Sequence, residues 1–161
     1  MSFADDLARI CTKAGDKVEL LVRKVAIDLG KAVVEKSPVG DPLNWLSLNP
    51  SVDTKTGKQS TARKAPAGYV GGTFKGNWQY GTNSINATVD SPADKGGGGS
   101  NTRIAAGVSA WVPGQTIYMT NSLPYAQKLE HGWSKQAPVG MVKTTVAEFQ
   151  ESVRKAAESL K

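Results

Sequence analysis

Between Phe3 and Lys36 the apolar and small residues recur at Phe3, Leu7, Ile10, Ala14, Val18, Leu21, Val25, Leu29 and Ala32. Steps of three and four keep these side chains on one face of a 3.6-residue helix, so the spacing predicts a long amphipathic helix with a buried stripe. Ser2, with Asp5 three residues on, supplies a capped start. Ser37-Pro38 supplies the stop, because the residue before proline avoids helical geometry. At about 1.5 Å per residue such a helix is about 50 Å long, more than a compact domain of this size needs. Val22 and Val33 widen the stripe. Part of the helix is therefore expected to face a partner subunit.

The pattern then breaks. From Val39 to Gly68, Pro42, Pro50, Gly57 and Pro66 interrupt a polar, basic stretch, which reads as a long excursion loop over about 40–68, its first half pinned to something apolar by Trp45, Leu46 and Leu48. Phe74 and Trp78 stand four apart, suited to a short helical turn or a turn entering a strand, with core packing the favoured role. Asn83 to Asp90 alternates Ile85, Ala87 and Val89 with polar residues, the pattern of a half-buried strand. The glycine run around 94–101 reads as a mobile tip.

Ile104, Val108 and Trp111 predict a short helix closing at Pro113-Gly114, capped by Ser100 or Asn101. Gln115 to Thr120 predicts a strand with Ile117 and Met119 on one face. Leu123 to Gly132 reads as a helical turn opened by Pro124 and closed by Gly132. Val142, Val146, Phe149, Val153, Ala156 and Leu160 predict a closing amphipathic helix over about 140–160. The expected fold is one α+β domain over residues 1–161, with long N-terminal and C-terminal helices packed on a small, mostly antiparallel sheet and long loops between them.

Composition narrows the function. The 161 residues, 39% of them apolar, suit one core. No run is long and apolar enough for a membrane span or a secretory signal, so the chain is expected in the cytoplasm where it is made. One cysteine, Cys11, and one histidine, His131, supply neither a disulfide nor a zinc set. His131 follows Glu130 beside a helix-ending glycine, and no Gly-x-Ser-x-Gly elbow accompanies it, so a packing or surface role outweighs a catalytic one. Neither Gly68 to Gly72 nor Gly96 to Ser100 has the Gly-Lys-Ser/Thr ending of a phosphate loop. No cofactor, metal or catalytic site is expected. The net charge of +6 favours polyanions modestly, but its basic residues are scattered.

The stretch from Ile117 through Asn121-Ser122-Leu123-Pro124-Tyr125-Ala126, Leu129-Glu130-His131-Gly132 and Gln136-Ala137-Pro138-Val139-Gly140-Met141-Val142 resembles the C-terminal signature of bacteriophage tail-completion (neck, or minor tail) proteins of long-tailed phages. The long helix ending in Lys36-Ser37-Pro38-Val39, and Gly72-Thr73-Phe74-Lys75-Gly76-Asn77-Trp78, are similar to its N-terminal part more loosely, with the insert 40–71 between them. The resemblance implies a long helix on a small twisted sheet, and a structural virion role in completing the tail and joining it to the head. It implies a homo-oligomeric ring, a hexamer where the tail has sixfold symmetry, in contact with tail-tube or tail-terminator and head-completion proteins.

The positions put forward as subunit or partner contacts are Val22, Trp45, Leu46, Tyr69, Phe74, Trp78, Tyr125, Leu129, Glu130 and Trp133. For the last four, core packing weighs as much as interface duty. Two other readings compete with the ring. One is a DNA-binding module using Lys55, Lys58, Arg63 and Lys64, with salt-sensitive affinity. The other, ranked last, is a small hydrolase built on His131.

Overall fold

The computed structural model describes residues 3–41, 51–52, 55–57, 59–60 and 68–158. The fold is α+β, as the sequence predicts. Helix α1 (Phe3–Lys36) is a single unbroken helix. It ends where Ser37 turns back: the Ser37 amide donates to the Val34 carbonyl, and its hydroxyl donates to the Val33 carbonyl at 2.7 Å. The predicted cap residue Ser2 lies outside the described residues. The C-terminal half of α1 walls the core through Val25, Ala26, Val33 and Val34. Every residue from Thr12 to Val18 is exposed.

Against α1 lies α3 (Gly98–Ala110), which adds Ile104 and Val108 to the core. The two helices approach closely because Gly30 has no side chain: a Cβ there would stand 2.7 Å from the Ile104 Cγ2. Where α1 enters the body, Arg23 donates to the carbonyls of Val108, Ser109 and Trp111. These carbonyls end α3 with no helical partner of their own, and the guanidinium satisfies them while lying over the Trp111 ring.

The sheet is small. Helical turn α2 (Thr73–Gly76) places Phe74 in the core and delivers the chain into β3 (Gln79–Thr82). This strand pairs antiparallel with β4 (Ile117–Thr120), Gln79 opposite Thr120 and Thr82 opposite Ile117. Phe74 meets Trp78 edge-on with centroids 5.9 Å apart. The Trp78 indole N–H donates to the Ser37 hydroxyl at 2.7 Å, joining sheet to α1. The buried amide of Asn77 is satisfied by Thr73 and Ser91.

Three expectations need correction. The glycine run is not a tip: Gly98 to Ser100 form the first turn of α3, and Ser100 is fully buried, donating to the Lys75 carbonyl. Asp94 supplies the missing cap, its carboxylate accepting from the amides of Gly96, Gly97 and Gly99 at 2.8 to 2.9 Å. Gly97 has φ 74°, and a Cβ there would reach 2.3 Å from Val34, so glycine is required for conformation and for space.

The alternation from Asn83 to Asp90 forms no ladder. The strand instead precedes it and stops at Asn83, whose φ is 59° and whose side chain and amide both bond Thr116; Ile85 and Val89 are exposed. The closing helix is two helices, α5 (Met141–Ala147) and α6 (Phe149–Glu158), broken at Glu148. The break lets the Glu148 carboxylate reach Lys36 at 2.8 Å. Within the loop expected over 40–68, a short antiparallel hairpin forms from β1 (Ser51–Val52) and β2 (Gln59–Ser60), Ser51 opposite Ser60.

The Asp94 cap sets a pH dependence. The Gly99 amide foremost, against an opposing effect of burial and helped by Gly97, Gly96 and Arg103, holds the Asp94 carboxyl below its ordinary 3.8. A lowered folded-state pKa stabilises the ionised form, so its contribution is complete above that ordinary value and is lost as pH falls through the lower folded one. Acidification from pH 5 to pH 2 is expected to speed amide exchange at Gly97 and Gly99 in wild type more than in Asp94→Asn, whose cap does not titrate. Equal pH responses in the two proteins would refute the cap.

Candidate subunit interface

The C-terminal signature segment is a folding device. The short helix α4 (Ala126–Lys128) runs into a π-helical turn, Leu129–Trp133, which ends where Gly132 takes φ 84°. A side chain at Gly132 would stand 2.5 Å from the Pro138 carbonyl oxygen. This turn aims Glu130 at the start of α5, where its carboxylate accepts from the amides of Met141, Val142 and Lys143 at 2.8 to 3.1 Å. Three of the four amides that a helix leaves unpaired are thus satisfied by one negative group at the positive end of the dipole. Gly140 permits the approach, since a Cβ there would lie 2.3 Å from the Glu130 carbonyl oxygen. Glu130→Ala is expected to lower stability by about 1–2 kcal/mol, read as a shift in the urea midpoint; an unchanged midpoint would contradict the cap.

Around this device the predicted residues separate. Phe74 and Trp78 belong to the core, each 4% exposed, so their proposed interface role is corrected to packing. Tyr125 is half-buried against Phe74, with centroids 6.1 Å apart, and burial pushes its phenol above the ordinary 10, Tyr69 adding to the effect. Tyr69 is half-buried, its hydroxyl held over Gly40. Leu129 packs on the core. Trp133 is 72% exposed, with the Lys128 ammonium 4.7 Å from its ring centroid. Trp45 and Leu46 lie outside the described residues, as do Lys58, Arg63 and Lys64. Lys55 is exposed in the turn between β1 and β2.

His131 is exposed, and its Nδ1 lies 2.7 Å from the Gln127 carbonyl, which places the proton on that nitrogen as donor. Among the described residues, no group of three or more His, Cys, Asp or Glu side chains is placed to hold a metal ion. Nor is any helix among them long and apolar enough to cross a membrane.

The apolar surface lies elsewhere. On α1 the core takes Ala26, Val33 and Val34, offset from the predicted stripe. The stripe residues Leu21, Val25 and Leu29, with Val22 beside them, wall a groove of about 510 Å³. Ile117 and Met119 of β4 form further lining, and Phe149 and Val153 of α6 complete it. The same offset holds on α5, where Met141 and Thr145 are buried while Val142 and Val146 stay exposed, Val146 to 65%. Val22 is 36% and Phe149 44% exposed. Of the residues put forward as contacts, only Val22 lines this groove. Phe149, Val153, Ile117 and Met119 were read as core positions, and the surplus width of the two stripes was the signal that they do more.

Nothing in the groove can transfer a proton or hold an ion, since its lining carries no titratable side chain. It can exclude water from an apolar partner. No protein-family model, curated protein or solved structure matches this chain.

Proposed function

We propose that this chain is a non-enzymatic structural subunit of a long-tailed bacteriophage, working as a homo-oligomeric ring that completes the tail and joins it to the head. The observation that carries the assembly part is the pair of unpartnered apolar surfaces: the groove lined by Leu21, Val22, Leu29, Phe149 and Val153, and the exposed stretch of α1 beyond it. Exposed apolar area on this scale is costly for a monomer and marks a protein–protein contact. The two surfaces differ from one another, as head-to-tail contacts in a ring require.

The phage assignment rests on the resemblance of Ile117 to Val142 to the tail-completion signature. The fold gives that segment a physical task compatible with the resemblance. Leu-Glu-x-Gly makes the turn and the cap, Gln-Ala-Pro-x-Gly brings the chain around, and Gly-Met-Val starts α5. Gln136 fastens the segment to the end of α1 by bonding both the amide and the carbonyl of Val39.

Light scattering over rising protein concentration, with and without purified tail-tube protein, tests the proposal. The expected result is a closed oligomer of fixed mass that binds the tail end. A monomer at every concentration that ignores tail components would overturn it.

A further inference from the structure

We infer that the groove between α1, β4 and α6 is the seat for the N-terminal arm of α1 from a second copy of this chain. The inference rests on the ring reading and names the contact that would build it. The arm, Phe3 to Val18, is the part of α1 preceding the groove, and its residues Thr12 to Val18 are all exposed. The sequence sets Phe3, Leu7, Ile10, Ala14 and Val18 along one helical face. A helix of this length is marginal in water without packing, so its apolar face requires cover.

Its own groove cannot provide that cover. Leu21, Val22, Val25 and Leu29 wall the groove from the same unbroken helix, so the arm runs away along the axis and cannot fold back. The cover must come from another molecule, and every copy that presents an empty groove also presents a matching arm.

Charge and area agree with that occupant. The arm carries Asp5, Asp6 and Asp16 against Arg9, Lys13 and Lys17, a balanced set that suits an uncharged groove and gives a polyanion no purchase. At about 1.5 Å per residue the arm is about 24 Å long, and half-wrapping a helix about 10 Å across removes roughly 400 Å² from water. A copy that gives its arm on one side and receives one on the other buries roughly 800 Å², the share each partner contributes to an interface of standard size.

The native Cys11, the only cysteine, lies within the arm and provides the test. The full-length variants Phe149→Cys and Val153→Cys each place a second thiol in the groove, and Thr102→Cys places one at an exposed position on α3 outside it. Each protein is treated with a bismaleimide and resolved on a denaturing gel, after circular dichroism confirms folding. Covalent oligomers are expected for both groove variants, several-fold above the Thr102→Cys level, and are expected to vanish when Cys11→Ser is added. A ladder beyond two copies supports the seat and the ring together; a product that stops at two supports the seat and overturns the ring. If light scattering shows rings but neither groove cysteine links to Cys11 above the Thr102→Cys level, the seat is overturned and the ring stands. That same gel result is expected if a tail-protein helix or a small apolar molecule fills the groove. Absence of both cross-links and assembly overturns both.

Discussion

Replacing Trp78 with alanine is expected to remove about 3–5 kcal/mol of stability, the range for deleting a buried aromatic side chain. The ring is 4% exposed, meets Phe74 edge-on and donates its N–H to Ser37. Alanine opens a cavity where α1, α2 and the sheet meet, and breaks the bond that ties the end of α1 to the strand. Against a typical total of about 5–15 kcal/mol, a loss of this size leaves the domain marginal. At about 2–4 °C per kcal/mol for a domain of this length, the thermal midpoint falls by about 10 °C. Trp78→Phe keeps most of the packing and loses only the hydrogen bond, so its expected cost is about 1 kcal/mol. Urea unfolding of both variants checks the pair; a Trp78→Ala protein as stable as wild type would show that the core is centred elsewhere.

The second large effect concerns assembly rather than folding. Val22→Asp combined with Phe149→Asp is expected to weaken self-association by about 100-fold or more, because a seated partner would bury carboxylates with nothing to pair them. Both side chains are more than a third exposed in the isolated subunit, so the fold itself is expected to survive. Sedimentation velocity reports the assembly and circular dichroism the fold. Wild-type association in the double variant would remove the groove from the interface.

How much of this was legible in the sequence differs by element. The long helix, the stop at Ser37-Pro38, the helix around Ile104 and Val108 and the strand ending at Thr120 were all readable, because each is a run in which local spacing and punctuation agree. The strand placed at Asn83 to Asp90 was not. Alternation there has the right period, but Asn83 in a left-handed conformation ends the ladder before it. The start of α3 was hidden because its cap, Asp94, precedes glycines that look like spacer and become helical only when that carboxylate gathers their amides.

The larger lesson concerns the face of a helix. Periodicity says that Leu21, Val25, Leu29, Phe149 and Val153 are covered and cannot say by what. On both α1 and α5 the core takes a face turned from the most regular stripe, helped by small residues such as Ala26 and Gly30 that periodicity weights little. The width of the combined stripe, together with the excess length of α1, was the readable sign that one face serves the body and the other a neighbour. Glu130 was flagged by its place in the signature, yet its task as a helix cap follows only from the π-helical turn that aims it.

That α1 is one straight run of turns also makes it a gauge of rotational phase. Adding one residue at Gly15, where nothing lies within 4 Å, would swing everything upstream by about 100° and point the arm's greasy edge into solvent. Adding seven would restore the heading to within about 20° while pushing the tip two turns outward. In an assembly built on this helix, arm length is therefore free to change only in near-whole turns, and spacing between neighbours becomes a stepped rather than a continuous variable.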